Sequence, residues 1–189
     1  MLWRETPSSQ LPIPGHIAGL GLSSVTASLL AARALPTAEA ALSFVNPRLQ
    51  ELCDPFLVTN MGRAVARLRE AMRRGETIAV FGDYDVDGVT STVIILDLLG
   101  RFGVRPRYIL PRRMEEGYGL SRGALERMME GGRPGLLLAL DCGTNSPEEV
   151  RWLIEGGTDV VIIDHHTSLG TNASEAGAVL VNPHLFDSP

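Results

Sequence analysis

The chain has 189 residues, which is enough for one sizeable domain with an appendage. Its formal net charge of −5 gives no overall attraction to nucleic acid, although a local basic surface is compatible with it. All 17 basic residues are arginine, which excludes Schiff-base and P-loop lysines, and the two isolated cysteines, Cys53 and Cys142, argue against a disulfide framework or a cysteine zinc site.

Residues 1–54 are expected to form a short helical N-terminal arm. The segments LSSVTASLLAARAL and PTAEAALSFVNP each predict a short helix, and Thr37 is the expected N-cap of the second. The N-terminus lacks the apolar stretch of a signal peptide, and no apolar run is long enough to span a bilayer. We therefore expect a cytoplasmic protein.

Residues 55–189 show a regular alternation of helix and strand patterns. Apolar residues at helical spacing predict a helix that ends at Gly75, and another is expected from Gly88 onward. Two further helices are predicted at 121–130 and 146–157, with Ser121 and Ser146 as N-caps. Short apolar runs predict five strands, at 77–81, 104–110, 135–140, 159–163 and 178–181. This alternation predicts an α/β fold, with helices on both faces of a parallel β-sheet.

Acidic residues and histidines follow three of the predicted strands. In chain order they are Asp83, Asp85, Asp87, Asp141, Asp164, His165 and His166. In parallel sheets covered by helices, ligands bind beyond the carboxyl ends of the strands. We therefore expect these side chains to meet at one edge of the sheet.

So many carboxylates at one edge indicate a bound cation. Two unit charges about 5 Å apart repel by roughly 3 kcal/mol at an effective dielectric constant of about 20. Carboxylate oxygens with imidazoles and no thiolate favour Mn²⁺ or Mg²⁺ over structural zinc. More than three acids with a histidine suggest a two-metal site, which activates water and stabilises in-line displacement at phosphorus.

Simpler roles exist for some of these residues when each is taken alone. The D-x-D-x-D-G pattern also opens an EF-hand loop, but the twelfth position would be Ile94 where a glutamate is required, and a strand precedes it. Asp83 or Asp87 could cap the next helix, although all three neighbouring aspartates would not do so. Asp141 by itself could be a turn residue.

The segments FGDYDVDGVTST, LPRRMEEGYGLS, LALDCGTNS, VIIDHH and VNP, in this order, resemble the DHH phosphoesterase superfamily. Within it, they resemble the RecJ-type single-strand-specific exonucleases, and LSFVNPRLQELCDPFLVTNMGRAVARL resembles the segment before the RecJ catalytic core. The resemblance covers nearly the whole chain. It implies a manganese-dependent 5′-to-3′ exonuclease that acts on single-stranded DNA in recombination and repair.

The resemblance also implies metal ligands. Asp85 and Asp87 correspond to ligands in the first motif, and Asp83 corresponds to a ligand or to a partner of one. Asp141 resembles a catalytic carboxylate shared between two metal ions, and His165 resembles the histidine ligand. The implied cofactor is Mn²⁺ or Mg²⁺, with two ions.

Other residues correspond to the substrate side of the family's site. His166 resembles the catalytic residue that contacts the scissile phosphate, and Asp164 is expected to orient the histidines. Arg113 matches a substrate-binding arginine in the loop before the glutamate-glycine-tyrosine run.

The family's sequences continue beyond the point at which this chain stops, with a further metal-binding aspartate and a second, substrate-binding domain. We therefore expect a DHH domain truncated at its C-terminal end, which would hold its second metal ion poorly alone. The missing half or other repair proteins are candidate partners. The alternative functions are a small-molecule phosphoesterase acting on pyrophosphate, short oligonucleotides or cyclic dinucleotides, and a non-catalytic binding module.

Overall fold

A computed structural model of the chain describes residues 12–112 and 119–185. Arg113, the predicted substrate-binding arginine, lies outside the described residues. The chain divides into two compact units, Met1–Cys53 and Asp54–Pro189. From residue 12 onward, the first unit contains three helices and a 3₁₀ turn, namely α1 (Gly15–Ala18), α2 (Ser24–Ala31), α3 (Ala38–Val45) and Leu49–Glu51. Thr37 caps α3 as predicted, because its side chain accepts a hydrogen bond from the Ala40 N–H at 3.1 Å.

The second unit is a parallel α/β domain that begins with a 3₁₀ turn. Its elements are Pro55–Leu57 (3₁₀), α4 (Met61–Arg74), β1 (Ile78–Gly82), α5 (Val86–Arg101), β2 (Arg107–Ile109), α6 (Arg122–Met129), β3 (Leu136–Leu140), α7 (Pro147–Glu155), β4 (Asp159–Ile163) and β5 (Val179–Val181). Within the part of the chain that the structure describes, the strands form one five-stranded parallel sheet in the order β2-β1-β3-β4-β5. The predicted fold class is confirmed. Among the described helices, none is long and apolar enough to cross a membrane.

Helices cover the sheet on both faces. Phe81 and Leu137 point to one face, where they pack in a core that includes side chains of α6 and α7. Val80 and Leu138, the adjacent residues in each strand, point to the other face and pack with side chains of α4 and α5. Because both faces are covered, the central strands are continuous apolar runs, and this is the reason that they could be found in the sequence.

Strand β2 is shorter than predicted. The sequence pattern predicts a strand over 104–110, whereas the structure pairs only Arg107–Ile109 with β1. Pro106 immediately precedes the strand and has no N–H to donate to a ladder. Since β2 lies at the edge of the sheet, it has a neighbour on one side alone.

The N-terminal ends of helices α5 and α7 differ in detail from the prediction. Helix α5 begins at Val86, ahead of the expected Gly88, because the Asp85 side chain caps it by accepting a hydrogen bond from the Gly88 N–H at 3.0 Å. Ser146 occupies the N-cap position of α7 as predicted, but its side chain makes no capping hydrogen bond to the helix. Proline follows at the first helical position, where a free N–H is not needed.

The order of the strands creates a crevice at one edge of the sheet. From β1 the chain moves outward to β2, and it then returns to β3 on the other side of β1. The carboxyl ends of β1 and β3 therefore flank the point at which the direction of winding reverses. Ligands of doubly wound sheets bind at this point.

Candidate metal centre

Three aspartates continue the ladder of the sheet at its carboxyl edge. The backbone N–H of Asp83 donates to Leu140 O at 3.3 Å, and that of Asp141 donates to Ile163 O at 2.8 Å. The N–H of Asp164 likewise donates to Val181 O at 3.0 Å. Each aspartate is thus held in register by the last residue of the neighbouring strand.

Asp83 is the most deeply buried of the predicted ligands. Asp83 is 0 % exposed, and neither of its carboxylate oxygens has a hydrogen-bond partner of good geometry among the described residues. Burial raises the pKa of Asp83, and the negative charges of Asp85 and Asp164 add to this effect, while the Tyr84 N–H and His166 oppose it. A cation would remove the cost of this arrangement.

Asp85 and Asp87 lie at the start of α5. Asp85 is exposed, and the hydrogen bond from the Gly88 N–H lowers the pKa of its carboxyl. Asp87 is exposed in the first turn of the helix, where it lines the same depression as Asp141 and His165.

Asp141 lies at the centre of the site in an unusual backbone conformation. Its φ is +62°, in the left-handed region that non-glycine residues rarely adopt. Its Oδ1 lies 3.0 Å from His165 Nε2, whereas its buried Oδ2 has no hydrogen-bond partner among the described residues. Burial, followed by the neighbouring Asp85 carboxylate, raises the pKa of Asp141 to about 6.

Asp164 holds the segment that carries the two histidines. Its Oδ1 accepts hydrogen bonds from the backbone N–H groups of His165 and His166 at 2.7 and 3.1 Å and from His166 Nδ1 at 2.7 Å. Its Oδ2 accepts from the Thr144 N–H at 3.0 Å. Burial alone would raise the pKa of Asp164, but the hydrogen bonds from Thr144 and His166 outweigh it and lower the pKa.

The candidate ligand atoms form two overlapping groups. Asp83, Asp85 and Asp141 form one, and Asp141, His165 and His166 form the other, with the ligand atoms of each group within 4.8 Å of one another. Asp141 belongs to both groups. Asp87 belongs to neither of these close groups among the described residues, although it lines the adjacent depression.

The donor set suits a hard divalent cation. Three buried carboxylate oxygens, two of Asp83 and one of Asp141, have no hydrogen-bond partner among the described residues. The donors are oxygens and imidazole nitrogens, which are compatible with Mn²⁺ or Mg²⁺. Cys142 adjoins Asp141, but it is fully buried and burial raises the pKa of its thiol well above the ordinary value, so it packs in the core.

An open depression of about 400 Å³ leads to these groups. Asp87, Asp141 and His165 line one part of it. Its apolar part is lined by Val58, Met61, Ile163, Val181 and Pro183. The depression therefore presents both charged and apolar surface next to the candidate metal ligands.

Sequence reasoning missed two polar residues behind the histidines. Asn182, after β5, and Thr144, in the turn after β3, are both 0 % exposed. The side-chain amide of Asn182 donates to Thr144 Oγ1 at 3.0 Å and to His166 O at 2.9 Å. The signal available in the sequence was the asparagine of VNP, a polar residue directly after an apolar strand.

Comparison with known proteins adds a family match. The model of the DHH family, N-terminal domain, matches residues 77–188. The single-stranded-DNA-specific exonuclease RecJ of Bacillus subtilis is 34% identical over 166 residues, which cover 88% of this chain and 21% of that protein. The RecJ of Thermus thermophilus is 38% identical over 135 residues, which cover 68% of this chain and 20% of that protein. The chain thus spans about a fifth of the length of these curated relatives.

Solved structures show the same similarity. A crystal structure of exonuclease RecJ bound to manganese matches with a TM-score of 0.65 and 34% identity, over 73% of this chain and 34% of that chain. A crystal structure of RecJ from Thermus thermophilus in complex with Mn²⁺ matches with a TM-score of 0.58 and 31% identity, over 79% of this chain and 22% of that chain.

Proposed function

The chain belongs to the DHH family, and from this premise we propose that its metal centre hydrolyses phosphodiester bonds of single-stranded DNA as part of a RecJ-type exonuclease. We propose 5′-to-3′ polarity, a role in DNA recombination and repair, and a cytoplasmic location. Residues 55–189 would form the DHH domain and residues 1–54 its N-terminal arm. The relatives that support this proposal are single-stranded-DNA-specific exonucleases.

One observation carries the proposal, namely the two ligand groups that share Asp141. We assign four members of these groups and the nearby Asp87 as the residues that hold two Mn²⁺ or Mg²⁺ ions, namely Asp83, Asp85, Asp87, Asp141 and His165. The remaining member, His166, is assigned to the substrate, because Asp164 engages its Nδ1. When bound, such ions activate water and stabilise the charge that develops on a phosphoryl group. The buried oxygens without hydrogen-bond partners support this assignment, because they are otherwise costly.

His166 is proposed to contact the scissile phosphate. Its Nδ1 is engaged by Asp164 at 2.7 Å, so contact with a phosphate oxygen would be made through Nε2. Burial lowers the pKa of His166, but the hydrogen bond and charge of Asp164, with Asp141 and Asp83, raise it above the ordinary value. The raised pKa favours the imidazolium form, which can donate to a phosphate. We propose Arg113 as a second substrate contact.

Metal binding is the first test of this assignment. Calorimetric titration with Mn²⁺ should show binding to the wild type and loss of binding in the Asp85→Ala, Asp87→Ala double variant. Asp97→Ala is the matched control, because Asp97 is an exposed carboxylate of the same helix that pairs with Arg101 at 2.9 Å. Equal Mn²⁺ binding by all three proteins would overturn the assignment of Asp85 and Asp87 as metal ligands.

Hydrolysis is the second test. End-labelled single-stranded and double-stranded DNA are incubated with Mn²⁺ and the same three proteins. Release of nucleotides from the 5′ end of the single strand by the wild type and by Asp97→Ala, but not by the double variant, is the expected result. Turnover of pyrophosphate or a cyclic dinucleotide without attack on DNA would instead indicate a small-molecule phosphoesterase. Metal binding without hydrolysis of either substrate class would indicate a non-catalytic module or a metal centre that needs the rest of a RecJ-type exonuclease, of which this chain spans about a fifth.

A further inference from the structure

A closed ring of hydrogen bonds links the ends of three strands behind the two histidines. Thr144 N–H donates to Asp164 Oδ2 at 3.0 Å, and Asp164 Oδ1 accepts from the N–H and Nδ1 of His166. The ring closes through Asn182, whose Nδ2 donates to both His166 O at 2.9 Å and Thr144 Oγ1 at 3.0 Å. It therefore joins segments that follow β3, β4 and β5.

Asn182 fits this place by its hydrogen-bonding chemistry. It is fully buried, and its Oδ1 accepts a hydrogen bond from the His184 N–H at 2.9 Å. Its Nδ2 donates to His166 O and to Thr144 Oγ1. An amide supplies an acceptor and two donors together, which neither a carboxylate nor an aliphatic side chain can do.

His166 is consequently held at three points. Asp164 fixes its backbone N–H and its ring, and Asn182 fixes its carbonyl oxygen. Fixing the N–H and C=O of one residue restricts its backbone rotation, and the bond from Nδ1 to Asp164 then holds the imidazole on that fixed backbone. Without the Asn182 amide, the His166 carbonyl would lose its buried donor and the backbone could rotate.

We infer that Asn182 is a positioning residue, which sets the direction of the His166 ring through the His166 carbonyl and through Thr144. This inference rests on the proposed function of His166 in contacting the scissile phosphate. A small misplacement of a substrate-contacting group is expensive, since about 1 Å can cost roughly 10²-fold in rate. The effect should therefore appear in kcat and not in the binding of metal or DNA.

The test is steady-state hydrolysis of single-stranded DNA by Asn182→Ala, Thr144→Val and Thr144→Ser. Partners that orient a functional side chain typically contribute about 10- to 100-fold, and we expect kcat of Asn182→Ala to fall by this factor. The KM for DNA and the half-saturating Mn²⁺ concentration should stay within about twofold. Thr144→Val removes the hydroxyl and should also lower kcat, whereas Thr144→Ser keeps the hydroxyl and should retain it.

Asn145→Ala is the matched control. The Asn145 side chain also makes two hydrogen bonds to the segment after β4, to Thr167 O at 3.0 Å and from the Leu169 N–H at 2.8 Å. Neither bond involves Asp164 or His166. The kcat of this variant should stay within about twofold of the wild type. An equal loss in both asparagine variants would overturn the inference, as would an Asn182→Ala protein with unchanged kcat.

Amide hydrogen exchange separates this inference from the proposed function. Measured by NMR on metal-free protein, exchange of the His166 N–H should be at least about tenfold faster in Asn182→Ala and unchanged in Asn145→Ala. Unchanged exchange in Asn182→Ala would overturn the positioning role. If the wild type cleaved no DNA, the proposed function would fail, and the exchange rates would still decide whether Asn182 holds His166.

Discussion

His166 donates to a single oxygen of Asp164 twice, from its ring Nδ1 at 2.7 Å and from its backbone N–H at 3.1 Å. The same carboxylate also accepts from the backbone N–H groups of His165 and Thr144. Asp164 is 5 % exposed, so its charge is balanced by these donors and not by water. This one side chain fixes the conformation of the segment that carries both histidines.

Asp164→Asn should therefore destabilise the protein strongly. The amide would place a donor among four N–H donors, and we expect the free energy of unfolding at about pH 7 to fall by about 2–4 kcal/mol. Urea unfolding of metal-free protein measures this change. Asp97→Asn, at an exposed ion pair, should change it by less than about 0.5 kcal/mol.

The loss of stability in Asp164→Asn should also depend on pH. Because the pKa of Asp164 is lowered in the folded state, its stabilising contribution is present above the ordinary carboxyl pKa and is lost as the pH falls through the folded-state pKa. The difference in unfolding free energy between wild type and Asp164→Asn should shrink on acidification. A difference that is constant from neutral to acidic pH would contradict this assignment.

Asp141→Asn should stabilise the metal-free protein. The folded-state pKa is about 6 against an ordinary value of 3.8, so the charged form is disfavoured by folding. The contribution of Asp141 to stability should decline as the pH rises from about 4 to about 6, and at about pH 7.5 the variant should gain up to about 3 kcal/mol in unfolding free energy relative to the wild type. Asparagine also tolerates the left-handed conformation found here.

Adding Mn²⁺ should make the wild type more stable than Asp141→Asn, which is the reverse of the order expected without metal. Only the wild type keeps the carboxylate that belongs to both ligand groups, and a ligand that binds the folded state stabilises it. Thermal unfolding of both proteins with chelator and with Mn²⁺ checks the prediction. A variant that is less stable than the wild type at neutral pH without metal would show that the ionised Asp141 carboxylate is not disfavoured.

Gly88→Ala and Gly100→Ala should have opposite effects, although both residues lie in α5. A Cβ at Gly88 would lie 2.5 Å from the backbone nitrogen and oxygen of Asp83, whereas a Cβ at Gly100 meets nothing within 4 Å. We expect Gly88→Ala to lower the free energy of unfolding by about 2 kcal/mol or more and to weaken Mn²⁺ binding. Gly100→Ala should raise it by about 0.5–1 kcal/mol. Urea unfolding and calorimetry measure both quantities.

Alanine substitutions of the two adjacent histidines should affect different quantities, the half-saturating Mn²⁺ concentration for His165 and kcat for His166. His165→Ala should raise the half-saturating Mn²⁺ concentration at least about tenfold, because His165 is proposed as a ligand. His166→Ala should leave this concentration nearly unchanged and lower kcat by roughly 10²-fold or more. His184→Ala, at an exposed histidine outside both ligand groups, should change neither. Identical losses in the first two variants would contradict separate roles.

The sheet and the edge that carries the site follow from local patterns in the sequence. Apolar runs bounded by turns predict β3 and β4, and the acids and histidines directly after them indicate a shared edge. The length of β2 and the start of α5 depend instead on pairing and capping geometry. Neither an edge position nor the choice of Asp85 as cap can be recognised from residue type alone.

The polar ring behind the histidines could not be predicted for a different reason. Asn182 and Thr144 are 38 residues apart, and their hydrogen bond depends on the alignment of β3, β4 and β5. Burial is also a property of the assembled fold. The carboxylate oxygens of Asp83 are buried without a hydrogen-bond partner among the described residues only in the folded chain, in which Gly88 packs against the Asp83 backbone.

The order of the strands also determines when during folding the metal centre can form. Asp83, Asp141 and His165 follow strands that are far apart in the chain, and parallel pairing of this kind has high contact order and is slow. Among the described residues, each ligand group combines side chains that follow two paired strands, β1 with β3 or β3 with β4, so the unfolded chain offers no preformed chelate. High-affinity Mn²⁺ uptake during refolding should therefore coincide with the pairing of β1, β3 and β4, and it would report the time at which these three strands come together.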